Sequence, residues 1–242
     1  MHTRVAHGLR QGALAWEFDV AMPDQPAWPA APELLPPGQM PKRRKGGSER
    51  GRIALWHSLA HIEFVAIDLA LDMAGRFGSE MGREFVDDFL AVAADEAMHF
   101  ALLARKLEQL GSHYGALPAH AGMWRAAEDT VDDLPGRLAV VPMVLEARGL
   151  DVTPATVERF EAQGDSASAR ILQRIFTDEI RHVLAGTTWF QSACSEQQLI
   201  PEKHWKTLVE RHFRGQLKPP FNDSARSKAG LTRDYYLQVA LG

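Results

Sequence analysis

The sequence predicts an all-α protein built on a four-helix bundle, two antiparallel helical hairpins joined by a long crossover. Three observations carry this prediction. From Ser48 onward apolar residues recur at helical spacing, and alternating strands with hairpin turns are absent. Glycine stops and side-chain caps divide that stretch into four long segments. Two connections between the segments are tight, whereas the middle one, about 111 to 133, is long.

Residues 1–47 form an N-terminal extension. Its second part, MPDQPAWPAAPELLPPGQMPKRRKGG at 22–47, holds seven of the fourteen prolines and ends in a basic cluster. Proline lacks a backbone donor, so this is an extended arm, which either packs on the surface or docks a partner. The first helix starts at an N-cap, Ser48, and runs to about Phe77, where RFGSE supplies a glycine stop and a new N-cap, Ser79. The second helix runs to Leu110 and is stopped by Gly111, with Phe85, Phe89, Val92, Leu103 and Leu110 at core spacing. The crossover has room for a short helix around Trp124. The third helix, LPGRLAVVPMVLEARGLDVTPATVERFEAQ, is irregular: Pro142 kinks it, Gly149 weakens it, and Thr153-Pro154 reads as the cap and first position of a restart. Gly164-Asp165-Ser166 turns into the fourth helix, which lasts to about Cys194. The core domain is thus 48–194, and 195–242 is a helical and irregular C-terminal extension that packs on the bundle. Between Glu202 and Asp234 eight Lys or Arg face four acids, a solvated surface or a contact for an anionic or nucleic-acid partner.

Composition excludes several classes. A chain of 242 residues, 45% hydrophobic, is ample for a packed core, and a net charge of −4 gives no general bias toward nucleic acid. One cysteine, Cys194, excludes a disulfide framework or a cysteine-built metal site within one chain. No uninterrupted apolar run reaches the length of a membrane span, and MHTRVAHGLRQGALAW lacks the apolar stretch of a signal peptide, so the expected location is the cytoplasm, with no membrane partner.

The chemistry lies in two Glu-x-x-His motifs. Sixteen Glu and ten His in this chain make on the order of one such match by chance, so neither motif means much alone. Their relation decides. Glu96-x-x-His99 in the second helix and Glu179-x-x-His182 in the fourth are 83 residues apart, and the same offset carries Glu63 in the first helix to Glu146 in the third. It also maps Asp68 to Asp151 and Asp95 to Asp178. In an antiparallel hairpin, residues equidistant from the turn share a level, and the midpoints of Glu63–Glu96 and Glu146–Glu179 fall close to the two predicted turns. The i, i+3 spacing sets each Glu and His on one helix face. Six groups, Glu63, Glu96, His99, Glu146, Glu179 and His182, are therefore expected to converge. Four buried carboxylates without compensation would be prohibitively costly, whereas two divalent cations neutralise them. One Glu from each of two helices plus Glu-x-x-His from each of the others is the general pattern of di-iron and di-manganese carboxylate bundles.

Asp95 and Asp178 each precede a ligand Glu and are either partners of a ligand His ring N–H or ordinary surface acids. His57 and His61 share a face with Asp68, turned away from Glu63, where a third metal site is the minority reading. Trp56 and Trp189 fall on the site's side of their helices, as core or as an electron-transfer element.

At these residues the chain resembles the ferritin-like di-iron carboxylate superfamily. Its helical core is similar to rubrerythrin, the ribonucleotide reductase small subunit and bacterial multicomponent monooxygenases, and Asp178-Glu179-Ile180-Arg181-His182 matches the DExRH form of the last two. The phrases LAHIEFVAIDLALD, DEAMHF, VLEARGLDVTP and LKPPFND, with the Pro-rich arm, resemble the bacterial domain of unknown function 455 over nearly the whole chain. The resemblance implies a non-haem di-iron oxidoreductase: two Fe ions, with Mn or a mixed Mn/Fe pair as alternatives, activate O2 to hydroxylate or oxidise a small molecule or a modified nucleoside. Some ferritin-like relatives hydroxylate a modified adenosine in tRNA, and an external electron donor is expected. The oligomeric state stays open, a dimer being compatible. One Cys cannot supply a rubredoxin module, and Tyr114, Tyr235 and Tyr236 lie outside the four main helices, which disfavours a stored tyrosyl radical. Two rivals remain, an iron-storing, ferroxidase or peroxide-scavenging protein and a metal-free structural bundle. The expected helix break at Gly149 to Thr153 is a candidate entrance for substrate or O2.

Overall fold

The computed structural model describes residues 18, 20–36, 39–40, 48–120 and 122–240. The basic cluster at 42–45 and the first seventeen residues lie outside them. Helices dominate: α1 (Glu49–Met81), α2 (Arg83–Gln109), α3 (Arg125–Glu128), α4 (Leu134–Val140), a π-helical turn (Val141–Glu146), α5 (Ala147–Ala162), α6 (Ser166–Glu196), α7 (Pro201–His212), α8 (Asp223–Lys228) and α9 (Arg233–Ala240). Two two-residue strands, β1 (Leu34–Leu35) and β2 (Ala119–His120), pair in parallel. The chain divides into two compact units, 1–125 and 126–242.

The first unit is built on the hairpin of α1 and α2. Ser48 caps α1 as expected, its Oγ accepting from the Gly51 amide at 3.1 Å. The end of α1 differs from the expectation: the helix passes through Gly78 and Ser79 to Met81, and Gly82, at φ 83°, makes the turn. Gly78 is a packing residue, not a stop. A Cβ there would lie 2.5 Å from Val86 and 2.7 Å from Phe18, so the bare backbone lets both side chains approach. Gly78 and Val86 each lie four residues from Gly82, which fixes the hairpin's register. Phe85, Phe89, Val92 and Leu103 are buried, while Leu110 is half-buried at the end of α2. By length and apolar composition α1 could cross a membrane, yet 56% of that stretch is buried and it carries buried Glu63 and Asp72, which makes it a core helix.

The described part of the Pro-rich arm lies along this unit. Trp28 Nε1 donates to Asp68 at 2.6 Å, Trp124 Nε1 to the Asp24 carbonyl at 3.0 Å, and Arg76 to the Pro23 carbonyl at 3.1 Å. Trp28 and Trp124 meet edge to face.

The second unit holds the other hairpin. Asp165 caps α6 by accepting from the Ser168 amide, and Gly164, at φ 73°, makes the turn. Pro142 and Gly186 each lie 22 residues from Gly164 and meet, the proline ring occupying the place of the missing Gly186 Cβ. The third segment corrects the sequence expectation in two ways. Its irregularity is a π-helical turn that contains Pro142 and ends on Glu146, and α5 then runs unbroken through Gly149, Thr153 and Pro154. No restart occurs at Thr153, so the entrance expected from a break there has no break to rest on. Pro154 is tolerated because the carbonyl that loses its helical donor, that of Leu150, accepts from Asn222 Nδ2 at 3.2 Å. At the junction of α4 with the π turn, Trp205 Nε1 donates to the Ala139 carbonyl at 3.2 Å. The C-terminal segments therefore complete backbone pairing that the irregular helix leaves open.

Candidate metal centre

In the first unit α1 supplies Glu63, and α2 supplies Glu96 and His99. All three are buried, Glu96 and His99 completely. His99 Nδ1 lies 3.3 Å from Glu63 Oε2 and 3.3 Å from Glu96 Oε2, and one ligand atom from each residue lies within 4.8 Å of the others. The register refines the sequence prediction. With the turn at Gly82, Glu63 is nineteen residues before it and His99 seventeen after, so His99 is the group across from Glu63, and Glu96 joins from one helical turn away. Burial works against a charged imidazole at His99, but the hydrogen bonds and charges of Glu63 and Glu96 outweigh it and raise its pKa to about 10. The pocket thus selects positive charge. Its two carboxylates and one imidazole are donors that fit a divalent transition metal.

In the second unit α6 carries buried Glu179 and His182, with His182 Nδ1 3.7 Å from Glu179 Oε2. Glu146, the last residue of the π turn, is half-buried. It and His182 each lie eighteen residues from Gly164, so lone Glu and motif His share a level here as in the first unit. Gly149 faces Glu179: a Cβ there would lie 3.9 Å from Glu179 Cγ.

The other singled-out residues fall as follows. Asp178 is buried and held by Arg174 Nε and Arg181 Nη2 of its own helix. Asp95 is half-buried beside Glu96. His57 Nε2 accepts from the Gly115 amide at 3.0 Å, and burial, with His61 and His113 nearby, lowers its pKa to about 4. His61 bridges the Tyr114 hydroxyl, 2.9 Å from Nδ1, and the His120 carbonyl, 3.1 Å from Nε2. These two histidines pin the loop after α2, and Asp68 receives Trp28. Trp56 is core, with Lys106 Nζ 5.7 Å from its ring centre, and Trp189 is half-buried. Tyr114 lies outside the four main helices. Its ring nevertheless packs on Phe64 and Phe100, the chain neighbours of Glu63 and His99, at centroid distances of 5.3 and 5.1 Å.

Fold and site together define an all-α protein with a buried cluster of Glu and His side chains in its first unit, Glu63, Glu96 and His99, able to hold a metal ion. The chain belongs to the family described as protein of unknown function (DUF455), whose model matches residues 1–237. It is 41% identical over 213 residues to a Haemophilus influenzae protein described as uncharacterized, over 86% of this chain and 74% of that relative. No solved structure matches.

Proposed function

We propose that the chain is a non-haem di-iron oxidoreductase in which Glu63, Glu96, His99, Glu146, Glu179 and His182 are the protein ligands of two metal ions. The observation that carries this reading is His99 Nδ1, buried within 3.3 Å of two carboxylates from different helices. Four carboxylates balance two divalent cations, and oxygen and imidazole donors suit iron or manganese. An iron pair, when bound, supplies the reduction of O2 and the oxidation of an organic substrate. The chain's own groups do the rest. Glu63 and Glu96 hold the cation by charge, His99 gives up its Nδ1 proton when that nitrogen becomes a ligand, and the buried surroundings keep water from the carboxylates. That the two hairpins form one ferritin-like bundle belongs to the same proposal and rests on their tight turns and the constant offset of 83 residues. The substrate class is a small molecule or a modified nucleoside, and electrons come from an external donor.

Anaerobic loading with Fe(II), counting of metal per chain and admission of O2 test the reading. Two irons per chain, an O2-dependent absorbance change, and loss of both on replacing Glu63 and Glu146 with Ala support it. Many irons per chain in a large hollow assembly would instead indicate storage. Metal content unaffected by those replacements would indicate a structural bundle.

A further inference from the structure

The offset that relates the ligands also relates two aspartates, and the structure gives both the same task. Asp68 lies five residues after Glu63, and Asp151 five residues after Glu146. Neither belongs to the proposed ligand set. Asp68 Oδ2 accepts from Trp28 Nε1, in the N-terminal arm, at 2.6 Å. Asp151 accepts from the C-terminal segment: Arg226 Nε reaches Oδ1 at 2.8 Å, Arg226 Nη2 reaches Oδ2 at 2.7 Å, and the Asn222 amide reaches Oδ1 at 3.0 Å. Each unit's extension thus fastens to the helix bearing that unit's lone Glu, at the same distance along the chain from it.

We infer that Asp68 and Asp151 are equivalent positioning residues, through which the two extensions set the rotation of the helices presenting Glu63 and Glu146 to the metal. The inference rests on the metal reading above.

The physical argument is strongest at Asp151. The stretch from Ala147 to Pro154 lies between a π turn and a proline, two places where the helical hydrogen-bond ladder is altered, so its own backbone holds its rotation weakly. External bonds replace what is missing. Asn222 Nδ2 takes up the Leu150 carbonyl at 3.2 Å, and Arg148 Nη1 donates to the Lys218 carbonyl at 2.7 Å. The Asp151–Arg226 pair is itself buried, and the guanidinium lies against both the Phe221 and Tyr236 rings, 5.1 and 4.6 Å from their centres, which are themselves 4.9 Å apart. A bidentate pair packed against two rings is fixed in geometry as well as in charge, so it transmits orientation as well as energy. At Asp68 the helix is regular, and the arm's contact is a neutral indole hydrogen bond in place of a bidentate ion pair. The same device is therefore expected to matter less in the first unit.

The test uses the full chain loaded anaerobically with Co(II), whose visible absorption reports ligand geometry. Wild type is compared with Asp151→Asn, Asp68→Asn and Arg226→Lys, with thermal unfolding of the metal-free proteins measured alongside. The expected result is an altered Co(II) spectrum and at least about tenfold weaker binding for Asp151→Asn, the size that outer partners of ligands give elsewhere. Asp68→Asn changes less, and Arg226→Lys, which keeps the charge but not the fork, falls between. Should Asp151→Asn fail to fold, Arg226→Lys decides. Variants that melt earlier but keep the wild-type spectrum and affinity overturn the positioning role and leave the metal reading intact. A wild-type chain that takes up no Co(II) overturns both.

Discussion

The two helical hairpins carry the same lone-Glu and Glu-x-x-His pattern on differently built helices. In the first unit Glu63 sits in the middle of an unbroken helix of 33 residues. In the second, Glu146 ends a π-helical turn, and the helix after it contains a proline. The first hairpin meets the structural requirement largely from its own backbone, with Gly78 admitting Val86 and Phe18. The second depends on residues 60 to 80 positions downstream: Trp205 on the Ala139 carbonyl, Asn222 on that of Leu150, Arg226 on Asp151. An irregular turn at a site gives a side chain an orientation that a regular helix would not, and its open hydrogen bonds must then be closed from elsewhere.

The largest expected effect compares the two motif histidines. His99→Ala leaves Glu63 and Glu96 buried without the group between them, and should cost about 3 kcal/mol in urea unfolding of the metal-free protein. His182→Ala, whose contact with Glu179 is longer at 3.7 Å, should cost less. Equal losses would remove the asymmetry between the hairpins. Next, Arg226→Met strands the buried Asp151 carboxylate and should lower stability by about 3 kcal/mol, where Trp28→Phe, removing one bond to Asp68, costs about 1 kcal/mol. A Trp28→Phe loss as large as that of Arg226→Met would show that the regular helix needs its anchor just as much.

Gly186→Ala drives a methyl group into the Pro142 ring and should cost about 2 kcal/mol, by chemical denaturation, with displacement of the π turn. A stability unchanged from wild type would mean that the turn does not depend on that close approach.

Near neutral pH the smallest effect is a pH dependence at His57 of the first unit, which grows only on acidification. Its pKa of about 4 keeps His57 neutral in the folded chain, whereas the unfolded side chain titrates near 6.5. The unfolded state therefore binds the extra proton as pH falls from about 6.5 through 4, and stability declines across that window. Comparing melting temperatures over this range, the decline should be shallower for His57→Asn than for wild type. Parallel curves would assign the acid sensitivity to other groups.

The repeated Glu and Glu-x-x-His pattern is legible because it is a matter of spacing. The cap at Ser48 and the turn at Gly164-Asp165-Ser166 are local chemistry, and the structure has them where the sequence predicts. The misreadings share one physical origin. Local propensity makes Gly78 a stop and Pro154 a start, because glycine and proline break isolated helices. Here contacts with Val86 and Phe18 make use of the missing side chain, and Asn222 compensates the missing donor. The register moved with the turn: Gly82 in place of Gly78 and Ser79 set His99, not Glu96, opposite Glu63. Tyr114 lies in a loop, yet loop residues can fold back against helices, as its packing on Phe64 and Phe100 shows.

By itself the sequence determined the helical class, the order of the long helices and the six candidate ligands, since helix periodicity and a constant offset need no knowledge of distant contacts. Only the tertiary structure decided where the first hairpin turns, that Glu146 ends a π turn, and that Asp68 and Asp151 receive the two extensions. Those outcomes depend on pairings between residues some 40 to 80 positions apart, whose energies override the local preferences that a sequence displays.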